Sequence, residues 1–552
     1  MHTRNNFVVQ GSILAIAGII VRLIGMLYRI PLIEIIGTEG NGYYTSAFSV
    51  YSILLIVSSY SLPTAVSKMV AGRIAVGQYK NSQKILKAAL IYATVVGALA
   101  GVVLWFGADL FAQLLGMPFC RYALKTLAPT VWIMAYLGVL RGYFQGHGTM
   151  VPTAVSQLFE QIVNAVVSIG AASWLVKKGL EADLVYGETE YASSFGAAGG
   201  TLGTGAGAAI ALAFFLLLLF LYRPVMRRQL KKDKTGREDS FGKIAAVLTI
   251  TILPIVLSST VYNISSVLDN YLFASGLRAL GEEDQMAALW GVFGEYHLLF
   301  NIPVALANAL SSSLIPALAN AAAMRDRKAA VQRTRTAIRF SMIIAIPAAV
   351  GLSVLAEPIC NLLFASHDNE LLIKLMAAGS AAVVFFSLST MTNAILQGTN
   401  HMSAPLIHSA IALIPHVLFL IIFQRVMGLG IYSVVYSNVL FALVVCILNQ
   451  LAIRKYLRYR QEYKKTFLVP IACSAIMGFA AFGAYTAIYS LLPEDMASGR
   501  LGIILALCPA ILAAVLIYGV LLLRFGGFSD KELKEMPMGT RLLGAARKLH
   551  LR

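Results

Sequence analysis

The stretch QGHGTMVP occupies residues 145–152, where one long apolar run ends and another begins. A second stretch, QGTNHMSAP at residues 397–405, has the same setting and nearly the same letters, with one residue added. Repetition of this kind, in a chain made of long apolar runs, is typical of membrane transporters built from internal repeats. The sequence therefore predicts two related halves.

The composition predicts a helical membrane protein with many spans. Of 552 residues, 58% are hydrophobic and only 13% are charged, and the mean hydropathy is +0.75. A soluble domain carries about 25% charged residues. Apolar runs of about 20 residues, the length that crosses a bilayer as a helix, recur along the whole chain. A β-barrel would instead show alternating segments of about 10 residues.

Fourteen runs qualify as predicted transmembrane helices, and no stretch between them is long enough for a soluble domain. The fold class we expect is all-α and polytopic. The predicted spans are 10–36, 43–71, 86–115, 122–144, 152–176, 196–222, 243–273, 288–322, 336–357, 371–397, 404–424, 430–453, 467–492 and 500–524.

The charge distribution predicts the orientation. The formal net charge is +18, and the basic residues cluster in the loops after spans two, six, eight and twelve, whereas the odd-numbered loops are acidic. Loops rich in Lys and Arg stay in the cytoplasm. We therefore expect a multi-pass protein of the bacterial cytoplasmic membrane with both termini inside. This topogenic role accounts for the positive charge, and nucleic acid is not an expected partner.

The position of the repeat predicts the domain organisation. The two stretches link spans four and five and spans ten and eleven, six spans apart, so both copies cross the bilayer in the same direction. This makes a parallel repeat with a pseudo-twofold axis along the membrane normal. The predicted parts are an N-lobe (1–228), a cytoplasmic basic linker (229–242), a C-lobe (243–460), helices 13 and 14 (461–524) and a cytoplasmic tail (525–552).

Sequence motifs of catalysis are absent, so we expect a transporter and not an enzyme. The chain contains no GxxxxGK[ST], HExxH or GxSxG motif, and its five cysteines form no CxxC pair. The glycine-rich segment FGAAGGTLGTGAG, residues 195–207, repeats glycine every four residues in an apolar span, which predicts close helix packing. We expect no cofactor and no metal; a coupling cation or proton is left open.

Two arginines inside the first predicted span are the leading binding residues. Charged residues in the bilayer cost about 2.5–3.5 kcal/mol each, so they need a reason. Arg22 and Arg29 are seven residues apart, two helical turns, and Gly18 and Gly25 fall on the same face. A cationic stripe with space beside it suits an anionic group such as phosphate. An ion pair with an interior carboxylate, or snorkelling to the interface, is the alternative.

Polar residues at helical spacing in three further spans complete the predicted site. Glu160, Asp269 and Glu295 could pair with the arginines, bind a coupling proton or cation, or make structural hydrogen bonds between helices. His297 and Asn301 share a helix face, from which Glu295 points partly away. The predicted substrate-binding residues outside span one are Gln157, Glu160, Asn164, Asn263, Asp269, Glu295, His297 and Asn301.

Three segments of the first lobe carry a family resemblance. RLIGMLYRIPL (22–32), IGTEGNGYY (36–44) and LPTAVSKMVAG (62–72) resemble the stage V sporulation protein B-like polysaccharide biosynthesis proteins. These belong, with the MurJ lipid II flippases, to the multidrug/oligosaccharidyl-lipid/polysaccharide (MOP) exporter superfamily. The resemblance extends over essentially the whole chain.

The resemblance implies a fold and a function. It implies two six-helix lobes in a V, a cationic central cavity, and a lipid-tail groove made by the last two helices. It further implies that an undecaprenyl-pyrophosphate-linked saccharide moves from the inner to the outer leaflet, with Arg22 and Arg29 at the pyrophosphate. The chain departs from the lipid II flippases in one respect, because they place arginine on the helix entering the second lobe, where this chain has Glu295 and His297.

The leading hypothesis is therefore a flippase for the peptidoglycan precursor lipid II, working by alternating access, in cell-wall growth or sporulation. A flippase for another lipid-linked glycan, of a capsule or exopolysaccharide, is the nearest alternative, and a cation-coupled multidrug exporter is another. A membrane glycosyltransferase would need a larger extracellular loop or an acidic metal motif. The expected partners are the undecaprenyl-linked glycolipid, the bilayer and cell-wall synthesis proteins.

Overall fold

The computed structural model describes residues 2–527 except 234, 236–237, 366–367, 494–495 and 497–498. Within these ranges the chain is helical and contains no β-strand, as the all-α prediction requires. Residues 528–552 of the predicted tail, and residues 234 and 236–237 of the predicted linker, lie outside the described part of the chain.

The chain divides into two compact units, Met1–Gly294 and Glu295–Arg552. This division leaves the lobe boundaries near residues 228 and 243 as a prediction. The first unit contains α1 (His2–Leu27), α2 (Arg29–Leu55), α3 (Leu62–Ala75), α4 (Tyr79–Leu114), α5 (Arg121–Gly146), α6 (Val151–Tyr186), α7 (Tyr191–Lys232) and α8 (Phe241–Leu280).

The boundary between the units falls within α9 (Met286–Ala323). The second unit continues with α10 (Arg327–Val354), α11 (Ala356–Leu363), α12 (Glu370–Gly379), α13 (Ala381–Gly398), α14 (Ser403–Ile421), α15 (Tyr432–Leu457), α16 (Val469–Leu491) and α17 (Arg500–Arg524).

Every predicted span is helical, but the predicted number of spans is not confirmed. Eleven helical segments of the described chain are long and apolar enough to cross a membrane. One reason for the difference is that Arg29–Ala75 forms a single such segment, although the sequence predicts a span ending at residue 36 and another beginning at 43.

The backbone of this region breaks at the loop that the sequence predicts between residues 36 and 43. Tyr28, which lies between α1 and α2, keeps helical φ and ψ of −72° and −22°. Gly37 then interrupts α2 with φ 75° and ψ 173°, a conformation open essentially to glycine alone. A π-helical turn, Ile56–Tyr60, precedes α3, and proline in the first turn of α3 fits a position that needs no backbone N–H.

Glycines bring α6 and α7 into close contact in the first unit. A Cβ atom built on Gly199 would lie 2.6 Å from Ala172 Cα, and one on Gly203 would lie 2.5 Å from the backbone nitrogen of Ser168. No side chain fits at such distances, so the helix backbones touch there. The prediction that residues 195–207 form a packing face is confirmed.

The two copies of the repeat have similar local structures, each seen within its own unit. In the first, Gly148 has a positive φ of 84°, and the ring of His147 packs on Tyr222 of α7 with centroids 5.8 Å apart. In the second, Asn400 has a positive φ of 67°, and the ring of His401 stacks on Tyr456 of α15 at 3.8 Å. Each copy thus closes one helix with a left-handed residue and packs its histidine on a tyrosine of a later helix.

Candidate functional site

Arg29 is a partly buried cation at the start of α2. Its guanidinium carbon lies 5.2 Å from the centroid of the Tyr44 ring. Its Nε and Nη2 atoms are buried and make no hydrogen bond to any described residue. A buried guanidinium without a partner is costly unless something pairs with it. This arrangement suits a ligand that brings negative charge.

Neutral polar groups connect α1, α2 and α6 beside Arg29. The hydroxyl oxygens of Tyr28 and Tyr44 are 3.1 Å apart, and Asn164 Nδ2 donates a hydrogen bond to the Tyr28 hydroxyl over 3.3 Å. Ser168 Oγ donates to Asn164 Oδ1 over 2.9 Å. Tyr28, Arg29, Tyr44 and Asn164, called the Arg29 network below, carry no negative charge of their own.

Arg22 lies outside the Arg29 network. Its side chain on α1 is exposed and forms no hydrogen bond or ion pair with the described residues. Tyr28 between α1 and α2 keeps helical φ and ψ, but Arg22 is exposed whereas Arg29 is half-buried. The expected space is present beside Gly18, but Gly25 faces Gln161, whose Nε2 would be 3.1 Å from a Cβ at Gly25.

Glu160 pairs with an arginine that the sequence analysis did not single out. Arg141 of α5 places Nη2 2.6 Å from Glu160 Oε2, and its Nε donates to Ser156 Oγ over 3.2 Å. Pairing of Glu160 with Arg22 or Arg29 is therefore wrong for this structure. The only signal for Arg141 in the sequence is a cation near the end of an apolar run. Gln157, on the same helix as Glu160, is half-buried.

The predicted residues of α8 divide between its buried and half-buried faces. Asp269 is buried, and so is its neighbour Asn270, whose Nδ2 donates to Ser46 Oγ of α2 over 2.7 Å. Asn263 is half-buried, and its carbonyl oxygen accepts a hydrogen bond from Ser266 Oγ over 3.0 Å. Asn270 thus makes the contact with α2, although it was not among the predicted site residues.

The predicted residues of α9 belong to the second unit. Asn301 Nδ2 lies 2.8 Å from His297 Nδ1 and donates to the His297 carbonyl oxygen over 2.8 Å, so the predicted shared face is confirmed. His297 is exposed, whereas Glu295 is only 2% exposed. The acid and the imidazole therefore lie on different faces of α9.

Acidic residues of the predicted linker dock on α3 and α4. Lys80 donates its backbone N–H to Asp233 Oδ2 over 2.8 Å, which lowers the pKa of Asp233. Lys84 Nζ lies 2.7 Å from Glu238 Oε2 and lowers the pKa of that carboxyl. Arg73 forms an ion pair with Asp239. The segment between α7 and α8 is therefore held by charge in the first unit.

The described residues include no group of three or more His, Cys, Asp or Glu side chains that could hold a metal ion. What the Arg29 network offers chemically is attraction for an anion, with hydroxyl and amide groups that can donate hydrogen bonds to it.

Two curated relatives from Bacillus subtilis (strain 168) align with most of the chain. The lipid II flippase MurJ is 25% identical over 488 residues, which cover 85% of this chain and 86% of that protein. Stage V sporulation protein B is 26% identical over 552 residues, which cover 98% of this chain and 99% of that protein.

Solved structures show the same fold. An inward closed conformation of the lipid II flippase MurJ superimposes with a TM-score of 0.63, at 14% identity over 93% of this chain and 98% of that one. An inward-facing MATE family multidrug resistance transporter of the MOP superfamily gives a TM-score of 0.63, at 18% identity over 78% of this chain and 94% of that one. At these identities the likeness establishes the fold alone.

The family itself is established by the sequence. Residues 74–493, more than half of the chain, match the family model described as lipid II flippase MurJ. The chain therefore belongs to the lipid II flippase MurJ family, and it is a multi-pass membrane transporter for a lipid-linked glycan rather than an enzyme.

Proposed function

We propose that this protein transports lipid II, the undecaprenyl-pyrophosphate-linked peptidoglycan precursor, from the inner to the outer leaflet by alternating access. The observation that carries the proposal is the guanidinium of Arg29, whose Nε and Nη2 atoms are buried and form no hydrogen bond to a described residue. The relative named lipid II flippase MurJ supports the choice of glycan.

Arg29 suits a pyrophosphate for three physical reasons. The planar guanidinium can bind two phosphate oxygens side by side. The Tyr44 ring 5.2 Å away holds the cation by its negative face and limits its orientations. The hydroxyls of Tyr28 and Tyr44 and the amide of Asn164 supply donors without a competing carboxylate.

The order in which the arginines act follows from the predicted orientation. If the N-terminus is cytoplasmic, α1 runs outward, and Arg22 lies about 10 Å closer to the cytoplasm than Arg29. The exposed Arg22 then meets the headgroup first, and Arg29 holds it deeper in the membrane. Binding itself needs no covalent chemistry, so these residues act by charge and hydrogen bonding alone.

The C-terminal helices fit the proposed lipid-tail groove in composition. Within the second unit, α16 and α17 pack together through Cys473, Met477 and Leu507, and the Tyr518 hydroxyl donates to the Ile343 carbonyl oxygen over 2.9 Å. Their outer surface keeps large apolar side chains exposed, among them Phe479 at 82%. In the proposal this surface carries the polyprenyl chain while the headgroup crosses.

The alternative functions make different demands on the same residues. A multidrug exporter for cationic compounds needs an acidic site, whereas Arg29 has no acidic partner among the described residues and Glu160 is already neutralised by Arg141. A flippase for a capsule or exopolysaccharide precursor would use Arg29 in the same way, because its substrate carries the same pyrophosphate. Only a transport measurement separates these two glycans.

The test is complementation in a bacterium depleted of its own lipid II flippase. Wild type, Arg29→Ala and the control Arg121→Ala, which alters an arginine of α5 outside the Arg29 network, are expressed to equal membrane levels. We expect wild type and the control to restore growth and outer-leaflet lipid II, and Arg29→Ala to fail. Rescue by Arg29→Ala would show that transport does not require Arg29 and that the proposed site is wrong. If the wild type fails to restore growth, lipid II is not the substrate, and another undecaprenyl-linked glycan takes its place in the proposal.

A further inference from the structure

We propose that Arg141 is a positioning residue that neutralises Glu160 and so keeps Arg22 and Arg29 available to the phosphate groups of the substrate. The inference rests on the proposed function, since it assumes that these two arginines bind a lipid pyrophosphate. It assigns a role to an ion pair that touches neither arginine.

Contacts between α1 and α6 indicate where Glu160 lies along the axis of α1. Asn164 reaches Tyr28 at the end of α1, and Gln161 lies against Gly25. Glu160 precedes Gln161 and lies one helical turn before Asn164 on the same face of α6. Along the axis of α1, Glu160 therefore lies between the positions of Arg22 and Arg29.

A carboxylate at this position along α1 would compete with the substrate for the arginine guanidinium groups. Opposite charges attract strongly where water is scarce, so an unneutralised Glu160 would draw a guanidinium towards itself or repel an arriving phosphate. The phosphate would then have to displace an internal partner before binding. The structure avoids this conflict because Glu160 is already paired.

Two contacts hold the guanidinium of Arg141 beside Glu160. Arg141 is only 8% exposed, and two of its nitrogens are engaged, Nη2 with Glu160 Oε2 at 2.6 Å and Nε with Ser156 Oγ at 3.2 Å. Ser156 in turn donates to the Thr153 carbonyl oxygen over 2.8 Å, which fixes its hydroxyl. A cation held at two points is a stable partner for one carboxylate.

Among the described residues, Arg141 is the cation that pairs with Glu160. Tyr51 of α2 interacts with Glu160 electrostatically, and Gly207 of α7 lies against the Glu160 backbone carbonyl. The charged residues of α1 and of the start of α2 include Arg22 and Arg29. Loss of Arg141 therefore leaves Glu160 unpaired on a helix that packs against α1.

The experiment measures binding of farnesyl pyrophosphate, a lipid pyrophosphate without sugar, to the full-length protein in detergent. The variants are Arg141→Met, Arg141→Lys, the double variant Arg141→Met with Glu160→Gln, and the control Arg121→Met on the same helix. At about pH 8 we expect Arg141→Met to bind about tenfold more weakly than wild type, since it exposes one competing charge. We expect Arg141→Lys and Arg121→Met to bind within about twofold of wild type.

The double variant separates this role from a structural one. It should bind the probe like wild type, since neither charge is left unpaired.

Two outcomes would overturn the proposal, and they differ from failure of the proposed function. Folded Arg141→Met with unchanged affinity, or an affinity loss that Glu160→Gln does not reverse, would show that Arg141 is not neutralising a competitor. If Arg29→Ala also binds the probe like wild type, the pyrophosphate site itself is wrong. If only Arg29→Ala fails, the proposed function stands without the role of Arg141.

Discussion

Asn164 of α6 donates a hydrogen bond to the hydroxyl of Tyr28 over 3.3 Å, although the two residues are 136 positions apart in the chain. This contact joins two predicted spans at the residue that precedes Arg29. Because the same hydroxyl lies 3.1 Å from that of Tyr44, Tyr28 holds α6 and α2 in one network. The position of the buried cation therefore depends on a neutral hydroxyl.

Replacing Tyr28 with phenylalanine should weaken both folding and transport. The change leaves the Tyr44 hydroxyl and the Asn164 amide without their partner, which costs about 1–3 kcal/mol for buried groups. We expect a lower thermal midpoint in detergent and reduced outer-leaflet lipid II, because Arg29 is held less firmly. Tyr60→Phe is the control, since Tyr60 is 65% exposed. An unchanged midpoint for Tyr28→Phe would show that the hydroxyl contributes nothing.

The glycine face of α7 predicts a contrast between two small substitutions. Gly199→Ala adds a methyl group 2.6 Å from Ala172 Cα, and overpacking of this kind costs about 1–3 kcal/mol. Gly170→Ala on α6 meets nothing within 4 Å and should be neutral or stabilise by up to about 1 kcal/mol, since alanine favours helix. Thermal unfolding of the two purified variants checks the sign. Equal midpoints would argue against close α6–α7 packing as a source of stability.

The sequence predicts much of the fold because hydropathy reports directly which segments cross a membrane. Every predicted span is helical, and the glycine repeat correctly indicates close packing. The non-helical Gly37 falls in the loop predicted between residues 36 and 43, whereas the π-helical turn Ile56–Tyr60 lies inside a predicted span and was missed. Hydropathy measures transfer into lipid, and it is insensitive to a local change in φ and ψ.

Partners across helices are harder to predict than positions along one helix. The shared face of His297 and Asn301 follows from a spacing of four residues, and it is confirmed. Arg141 was missed because its partner Glu160 comes from the next helix. Periodicity indicates which residues share a face, and only tertiary packing decides which faces meet.

The docked linker should depend on salt and on acid. Lys84 lowers the pKa of Glu238, so this contact is fully present above the ordinary carboxyl pKa of about 4 and is lost as the pH falls through the lowered value. Both partners are partly exposed, so salt should screen them as well. We expect lower amide hydrogen-exchange protection in residues 238–243, relative to the intrinsic exchange rate at the same pH, below about pH 4 or at about 1 M NaCl. Glu238→Gln should show that lower protection at neutral pH and low salt, and wild-type protection in this variant would contradict the assignment.

The histidine of the first repeat should make the α5–α6 loop sensitive to mild acid. Burial lowers the pKa of His147, whose ring packs on Tyr143 with centroids 4.5 Å apart. A lowered folded pKa means that the contribution to stability is present above the unfolded value of about 6.5 and is lost as the pH falls through the folded value. We expect the wild-type thermal midpoint to fall between about pH 7 and about pH 5. His147→Asn, which does not titrate in this range, should show a smaller fall over the same interval. Identical pH profiles for the two proteins would mean that His147 takes up its proton as easily in the folded loop as in the unfolded chain.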